Sequence, residues 1–306
     1  MILSVSQRTD IPAFYSEWFV NRLKAGYVYV RNPYQPELIS NIKLDPDIVD
    51  AIAFLTKDAT NLYPYLDDID KLGYQYFFHY TITPYFNDIE KNIRNKKDIM
   101  INFIRISKRI GKEKMIWRYD PILINEVYTL EYHKDTFERM CKSLSPYTNT
   151  CIISFIDLYQ KVKRHTNFKE LTTKQMEWIA ENFSIIANKY HIQLSTCAEK
   201  IGLTKYGITS GACFDKKQIE TIINYPLKEV KEVRAREFCH CMPTVDIGQY
   251  DSCYHNCSYC YAMNEFHVLE KHDPHSPLLL GHVTSKDRIV ERKVSSLKLH
   301  QIQFDL

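Results

Sequence analysis

The sequence predicts an α/β protein built on a complete or partial (β/α)8 TIM-like barrel with a C-terminal cysteine-rich cluster loop and tail. Three observations carry this. Short apolar, β-branched or aromatic runs alternate with segments of helical spacing. About seven or eight such runs precede the cysteine-rich end, which is close to the strand complement of a barrel. The eight glycines form no G-x-G-x-x-G cradle, so an open dinucleotide-binding sheet loses support.

Taken in order, strands are expected at Ile2 to Ser6, Tyr27 to Val30, Ile48 to Leu55, Tyr76 to Thr81, Met115 to Trp117, Cys151 to Phe155 and Ile192 to Leu194. Each is short, rich in strand-forming side chains and ends in a polar cluster. Helices are expected at Ser16 to Ala25, Thr60 to Leu72, Asn87 to Ile110, Leu130 to Leu144 and Thr172 to Tyr190. Strands alternating with helices of this length imply parallel crossovers. The barrel is expected over 1–235, a cysteine-rich metal-cluster segment over 236–265 and a cap or tail over 266–306. Lys286, Arg288, Arg292, Lys293 and Lys298 make that tail basic, and a solvated helix is its plainest reading.

With 306 residues and 45% hydrophobic content, the chain can bury a full core. No apolar run approaches the ~18 residues of a membrane span, and the apolar start is too short for a signal peptide, so a cytoplasmic protein without membrane contact is expected. Nine cysteines without a secretory signal argue for reduced thiols and metal ligation over disulfides. A net charge of +3 is near balance and demands no nucleic-acid partner.

In a barrel the polar residues after the strands build the active face. Arg8 and Asp10, Arg31 and Asn32, Thr56 and Lys57, Thr81 and Thr83, Arg118 and Asp120, Asp157, and Cys197 and Glu199 are therefore expected on one rim. Arg118 and Asp120 stand out, because Trp117-Arg118-Tyr119-Asp120-Pro121 couples a planar two-point donor to a carboxylate. Taken singly, each of these residues also reads as an ordinary loop residue or a structural ion pair.

The strongest chemical signal is C-x3-C-x2-C: Cys253, Cys257 and Cys260, with Tyr259 beside the last thiol. Three thiolates can hold three irons of a 4Fe-4S cluster and leave the fourth iron open. The competing reading is zinc, closed by a histidine such as His255, His267, His272 or His275. Cys197, Cys213, Cys239 and Cys241 form a second group, suited to an auxiliary 4Fe-4S cluster or a zinc ion if the fold gathers them, whereas Cys141 and Cys151 read as buried small apolar residues.

The Cys253 to Cys260 spacing resembles the cluster loop of radical S-adenosylmethionine enzymes, and Cys257-Ser258-Tyr259-Cys260-Tyr261-Ala262 looks especially like that of spore photoproduct lyase and related enzymes. Over its length the chain is similar to the family called domain of unknown function 1848, through Ser4-Val5-Ser6-Gln7-Arg8-Thr9-Asp10-Ile11-Pro12, Trp117-Arg118-Tyr119-Asp120-Pro121 and the loop. The resemblance implies S-adenosylmethionine on the open iron, cleavage to a 5'-deoxyadenosyl radical, and a low-potential donor such as flavodoxin or ferredoxin. Arg8, Asp10, Arg118, Asp120 and Glu199 would then position cofactor or an unknown substrate. Radical S-adenosylmethionine enzymes usually carry this loop after the first barrel strand, whereas here about 250 residues precede it, so only the three cysteines transfer. An alternative is a nucleic-acid-binding or repair-related protein whose iron-sulfur or zinc site is structural, in keeping with its 22 tyrosines and basic tail.

Overall fold

Strand-forming residues buried on both faces read as near-continuous apolar runs, as a parallel sheet covered on two sides requires. The computed structural model describes residues 1–230, 239–263 and 271–299. Its strands are β1 (Ile2–Val5), β2 (Tyr27–Arg31), β3 (Leu38–Lys43), β4 (Ala51–Thr56), β5 (Tyr76–Thr81), β6 (Met115–Ile122), β7 (Thr150–Phe155), β8 (Gln193–Cys197), β9 (Thr209–Gly211), β10 (Thr244–Asp246) and β11 (Arg288–Glu291). Helices are α1 (Ile11–Phe14), α2 (Ser16–Ala25), α3 (Leu66–Lys71), α4 (Lys96–Ile110), α5 (Leu130–Leu144), α6 (Gln160–His165), α7 (Thr173–Lys189) and α8 (Lys216–Ile223).

Eight strands form one parallel sheet in the order β10-β1-β4-β5-β6-β7-β8-β9. The late strand β10 thus lies beside the first, and among the described residues no ladder joins β9 to β10. One face carries Leu3, Val5, Phe54, Phe78, Trp117 and Tyr119 against the helices. There Phe137 of α5 and Phe183 of α7 stack with ring centroids 3.9 Å apart, and Trp117 stacks on Phe137 at 5.3 Å. The other face carries Ile2, Ala51, Ala53, Phe77, Ile116 and Ile152, covered by Phe214 and by Ile219 and Ile222 of α8. Small side chains on β4 leave room for that cover.

Three expectations are corrected. The Tyr27 run is a strand, but β2 pairs antiparallel with β3 in a separate three-stranded sheet completed by β11. Arg31 consequently lies off the rim, bound to Asp287 at 2.5 Å, while Asn32 accepts from the backbone of Tyr34 at 2.8 Å. The basic tail is no helix: Arg288–Glu291 is the strand β11, parallel to β3. Asn87 to Arg94 is not helical either, because α4 begins only after Asn95, whose side chain caps Lys97 N at 2.9 Å. No described helix is long and apolar enough to cross a membrane.

Candidate metal centres at the strand ends

Parallel strands aim their C-terminal ends at one edge of the sheet, and side chains just past those ends converge there. Asp10 follows β1. It caps α1 at Ala13 N (3.0 Å) and also accepts from Thr56 Oγ1 (2.8 Å) and Lys57 N (2.7 Å) beyond β4. Oδ2, the oxygen that accepts from Lys57 N, also sits 2.8 Å from His255 Nε2, which fastens the cysteine loop to the sheet. Tyr15 OH donates to Ser252 O at 2.5 Å, Ser258 N to Ile89 O at 2.8 Å, and Glu90 forms a β-bridge with Cys257. The loop is therefore held over the β4–β5 end before any metal is considered.

Glu90, wholly buried, gathers the charges under the loop. It accepts from Lys57 Nζ (2.8 Å) and Thr83 Oγ1 (2.7 Å), and from Lys96 and Tyr259 OH. Burial alone would raise its pKa, but Lys57 and Lys96 outweigh that and hold the carboxyl well below the usual range. Lys57, also facing Cys257 and Asp120, is driven down by burial and restored above its ordinary value by those anions, Glu90 foremost.

The three loop thiols, half-buried, lie close enough to perturb one another. Burial pushes Cys253 up to about 12, aided by Asp10, and pushes Cys257 well above the ordinary thiol value against the pull of Lys57. Cys260 is raised by burial too. Uncompensated thiolates are costly here, so a bound cation is what would stabilise them. Of the candidate histidines, His255 is engaged by Asp10, His272 Nδ1 lies 2.9 Å from Leu279 O, His275 is exposed, and His267 lies outside the described residues.

Arg8 does not reach this centre through any contact seen. Its Nε donates to Asp246 Oδ1 (2.9 Å) at the end of β10, and its guanidinium lies over Tyr250. Asp246 also accepts from Ser4 Oγ (3.1 Å), Ser6 Oγ (3.0 Å), Gln7 N (2.6 Å) and Gly248 N (2.9 Å), a hub the sequence reading missed. Its only sequence signal was a single carboxylate between Val245 and Ile247. Glu199 accepts from Phe155 N at 2.8 Å, which places it past β7 and β8.

Arg118 and Asp120 are paired on β6, and Ser154 of β7 donates to Asp120. Arg118 Nη1 also donates to Cys213 Sγ at 2.9 Å. Cys197 from β8, Cys213 just past β9 and Cys241 just before β10 bring three thiols within 4.8 Å of one another, all buried. Cys239 is buried in the same apolar cluster but is not one of that close trio. Cys213 Sγ lies 2.7 Å from Cys197 Sγ, and proton sharing with Cys197 and Cys241, together with Arg118, holds the Cys213 thiol well below its usual pKa while it raises Cys197 to about 12 and raises Cys241 further.

No curated protein matches the chain. Among solved structures it is similar to a "putative alpha-L-fucosidase" from Bacteroides thetaiotaomicron, at 10% identity and a TM-score of 0.26 over 70% of this chain and 81% of the other, a likeness too slight to bear on function. The family model that matches spans residues 2–262, from β1 through the last loop cysteine, and the chain therefore belongs to the family described as domain of unknown function DUF1848.

Proposed function

We propose that Cys253, Cys257 and Cys260 hold a 4Fe-4S cluster with one open iron, and that the protein is a radical S-adenosylmethionine type enzyme acting on an unidentified substrate at the mouth of a partial (β/α) barrel. The observation that carries this is the donor set: three mutually perturbing thiols in one loop, clamped over the sheet end by Asp10, His255 and Glu90. Among the described residues these three are not a group with all sulfurs within 4.8 Å. Wider spacing suits thiols that each end a different iron, whereas three thiols on one zinc approach to about 3.8 Å.

When bound, such a cluster supplies low-potential one-electron chemistry for cleaving the sulfonium. The chain's own residues do the rest. Lys57 offsets thiolate charge and is itself kept protonated by Glu90. Tyr259 packs against Tyr85 and closes the site from the β5 side, which limits water. Arg118 holds Asp120 through Nε and Nη2 and Cys213 Sγ through Nη1, so a substrate carboxylate would meet its planar fork only by displacing one of them.

Anaerobic reconstitution tests the reading. About four irons should bind at this loop, 5'-deoxyadenosine should form with a strong reductant or a flavodoxin- or ferredoxin-class donor, and each of Cys253→Ala, Cys257→Ala and Cys260→Ala should abolish both. Iron uptake without any S-adenosylmethionine cleavage would leave a structural cluster in its place. At equal folded concentration, Arg118→Lys should cut cleavage roughly tenfold or more, since an ammonium cannot reproduce the fork; equal rates would remove Arg118 from the site.

A further inference from the structure

We propose that Cys197, Cys213 and Cys241 bind a single zinc-class divalent ion through three thiolates, with the fourth coordination position left to a non-protein ligand. This second site uses thiols other than those of the loop: Cys197 on β8, Cys213 past β9 and Cys241 before β10, bordered by Arg118 of β6.

The spacing selects the ion. Three sulfurs within 4.8 Å match the ~3.8 Å separation of thiolates on one tetrahedral zinc and are too close for three corners of a cubane. Cys197 and Cys213 sulfurs are 2.7 Å apart, longer than the ~2.05 Å of a disulfide, so no covalent bond joins them. A disulfide would also leave Cys241 without a role. The donors come from two strand ends and the segment entering β10, so an ion there would join elements far apart in sequence.

Charge and polarity agree. Three thiols exchanging their protons for a divalent ion leave one net negative charge, with the protons released to solvent. Arg118 already donates to Cys213 Sγ and is placed to offset that charge. His79 supplies an independent observation. It is wholly buried on β5, beside Arg118 and the backbone of Cys213, and neither ring nitrogen makes a hydrogen bond of full geometry. An imidazole so weakly satisfied in this place is costly unless a polar ligand shares the space, and a ligand on the fourth position would meet that need. Cys239 is close in the fold but outside the trio, and among the described residues no further His, Cys or carboxylate joins it, which is why the fourth position is assigned to a non-protein group.

The test is metal analysis of full-length protein purified without chelators, followed by titration of metal-free protein with Co²⁺ alone. About one zinc per chain should be found in the wild type and in the Cys253→Ala/Cys257→Ala/Cys260→Ala variant, and Co²⁺ should give thiolate charge-transfer bands in both. Cys197→Ser and Cys241→Ser should reduce zinc at least tenfold while iron at the loop persists, and Cys239→Ser should keep full zinc. If the serine variants do not fold, the loop variant still decides the matter. Iron with sulfide in that variant would replace the ion by a cluster, and absence of zinc and of Co²⁺ bands there would overturn the site. Loss of zinc in Cys239→Ser would overturn the open fourth position. None of these outcomes depends on S-adenosylmethionine cleavage, so this site and the loop cluster fail separately.

Discussion

His133 on α5 shows how a single buried side chain sets acid sensitivity. Its Nε2 lies 2.8 Å from Leu123 O and Nδ1 2.8 Å from Tyr119 OH, so the neutral ring donates to the carbonyl and accepts from the hydroxyl. Burial lowers its pKa to about 4 from 6.5, only partly offset by the Leu123 bond. A lowered histidine pKa means the fold prefers the neutral form. Its contribution is therefore complete above pH 6.5 and is lost as pH falls toward 4, by about 3 kcal/mol for the full shift. Urea unfolding at pH 7 and pH 5 should show this loss, and His133→Gln should be less stable at pH 7 but flatter between the two. An equal slope in both proteins would remove His133 as the cause. Glu90 has the opposite chemistry. Its depressed pKa gives stability that is present above about pH 4.3 and lost as pH drops toward the lower folded value. Glu90→Gln strands Lys57 and Lys96 in a buried place and should cost about 3–5 kcal/mol in urea unfolding at pH 7, with Lys57→Met in the same chain recovering part of it.

Among elements, the β1–β10 edge depends on close approach. A Cβ at Gly248 would come within 1.8 Å of Ser6 Oγ and 2.7 Å of Ser6 Cβ, so Gly248→Ala must displace Ser6 from Asp246. The expected cost is about 1–3 kcal/mol, and Ser6→Gly combined with Gly248→Ala should recover part of it because the clash is gone; strictly additive losses in urea unfolding would show that the contact does not govern this edge. Helices were the most legible elements. Ser16–Ala25 and Leu130–Leu144 coincide with the spacing expected, since their buried faces recur at helical period and Gly26 and Thr129 mark an end and a start. Strands of three residues were not legible. Thr209–Gly211 and Thr244–Asp246 are too short for any period to show, and both are fixed by pairing to β8 and β1. Leu38–Lys43 mixes Ser, Asn and Lys into its run because it belongs to the small sheet and not to the buried one. The three loop cysteines were legible because their spacing is local. The meeting of Cys197, Cys213 and Cys241 could only be guessed from strand ends, and Glu90 was missed because its partners lie in three separate segments.

At the scale of the whole molecule, the C-terminal stretch acts as a strap across the start of the fold. β11 adds to β3, and beyond it Ser296 Oγ and Leu297 N reach Asp50 at 2.5 Å and 2.7 Å, just before β4. Asp50 is almost wholly buried, and its carboxylate is held by those donors and by the Met1 ammonium at 2.6 Å. Leu297 also packs with the apolar cluster that covers the second face of the sheet, together with Ile219, Ile222 and Leu227. Lys228 N donates to Leu297 O at 2.7 Å and Leu299 N to Pro226 O at 2.9 Å, which ties the strap to the segment after α8. The strap thus clamps α8 over the face that carries the Cys197, Cys213 and Cys241 thiols. Asp50→Ala leaves Ser296 and Leu297 N without their acceptor and should cost about 1–3 kcal/mol. Asp50→Asn, which keeps one acceptor oxygen, should cost less. Hydrogen exchange distinguishes a clamp from a passive cover: in Asp50→Ala, protection should fall in 292–299 and in α8, with β5 to β7 unchanged. Loss of protection confined to 292–299 would show that α8 holds its place without the strap.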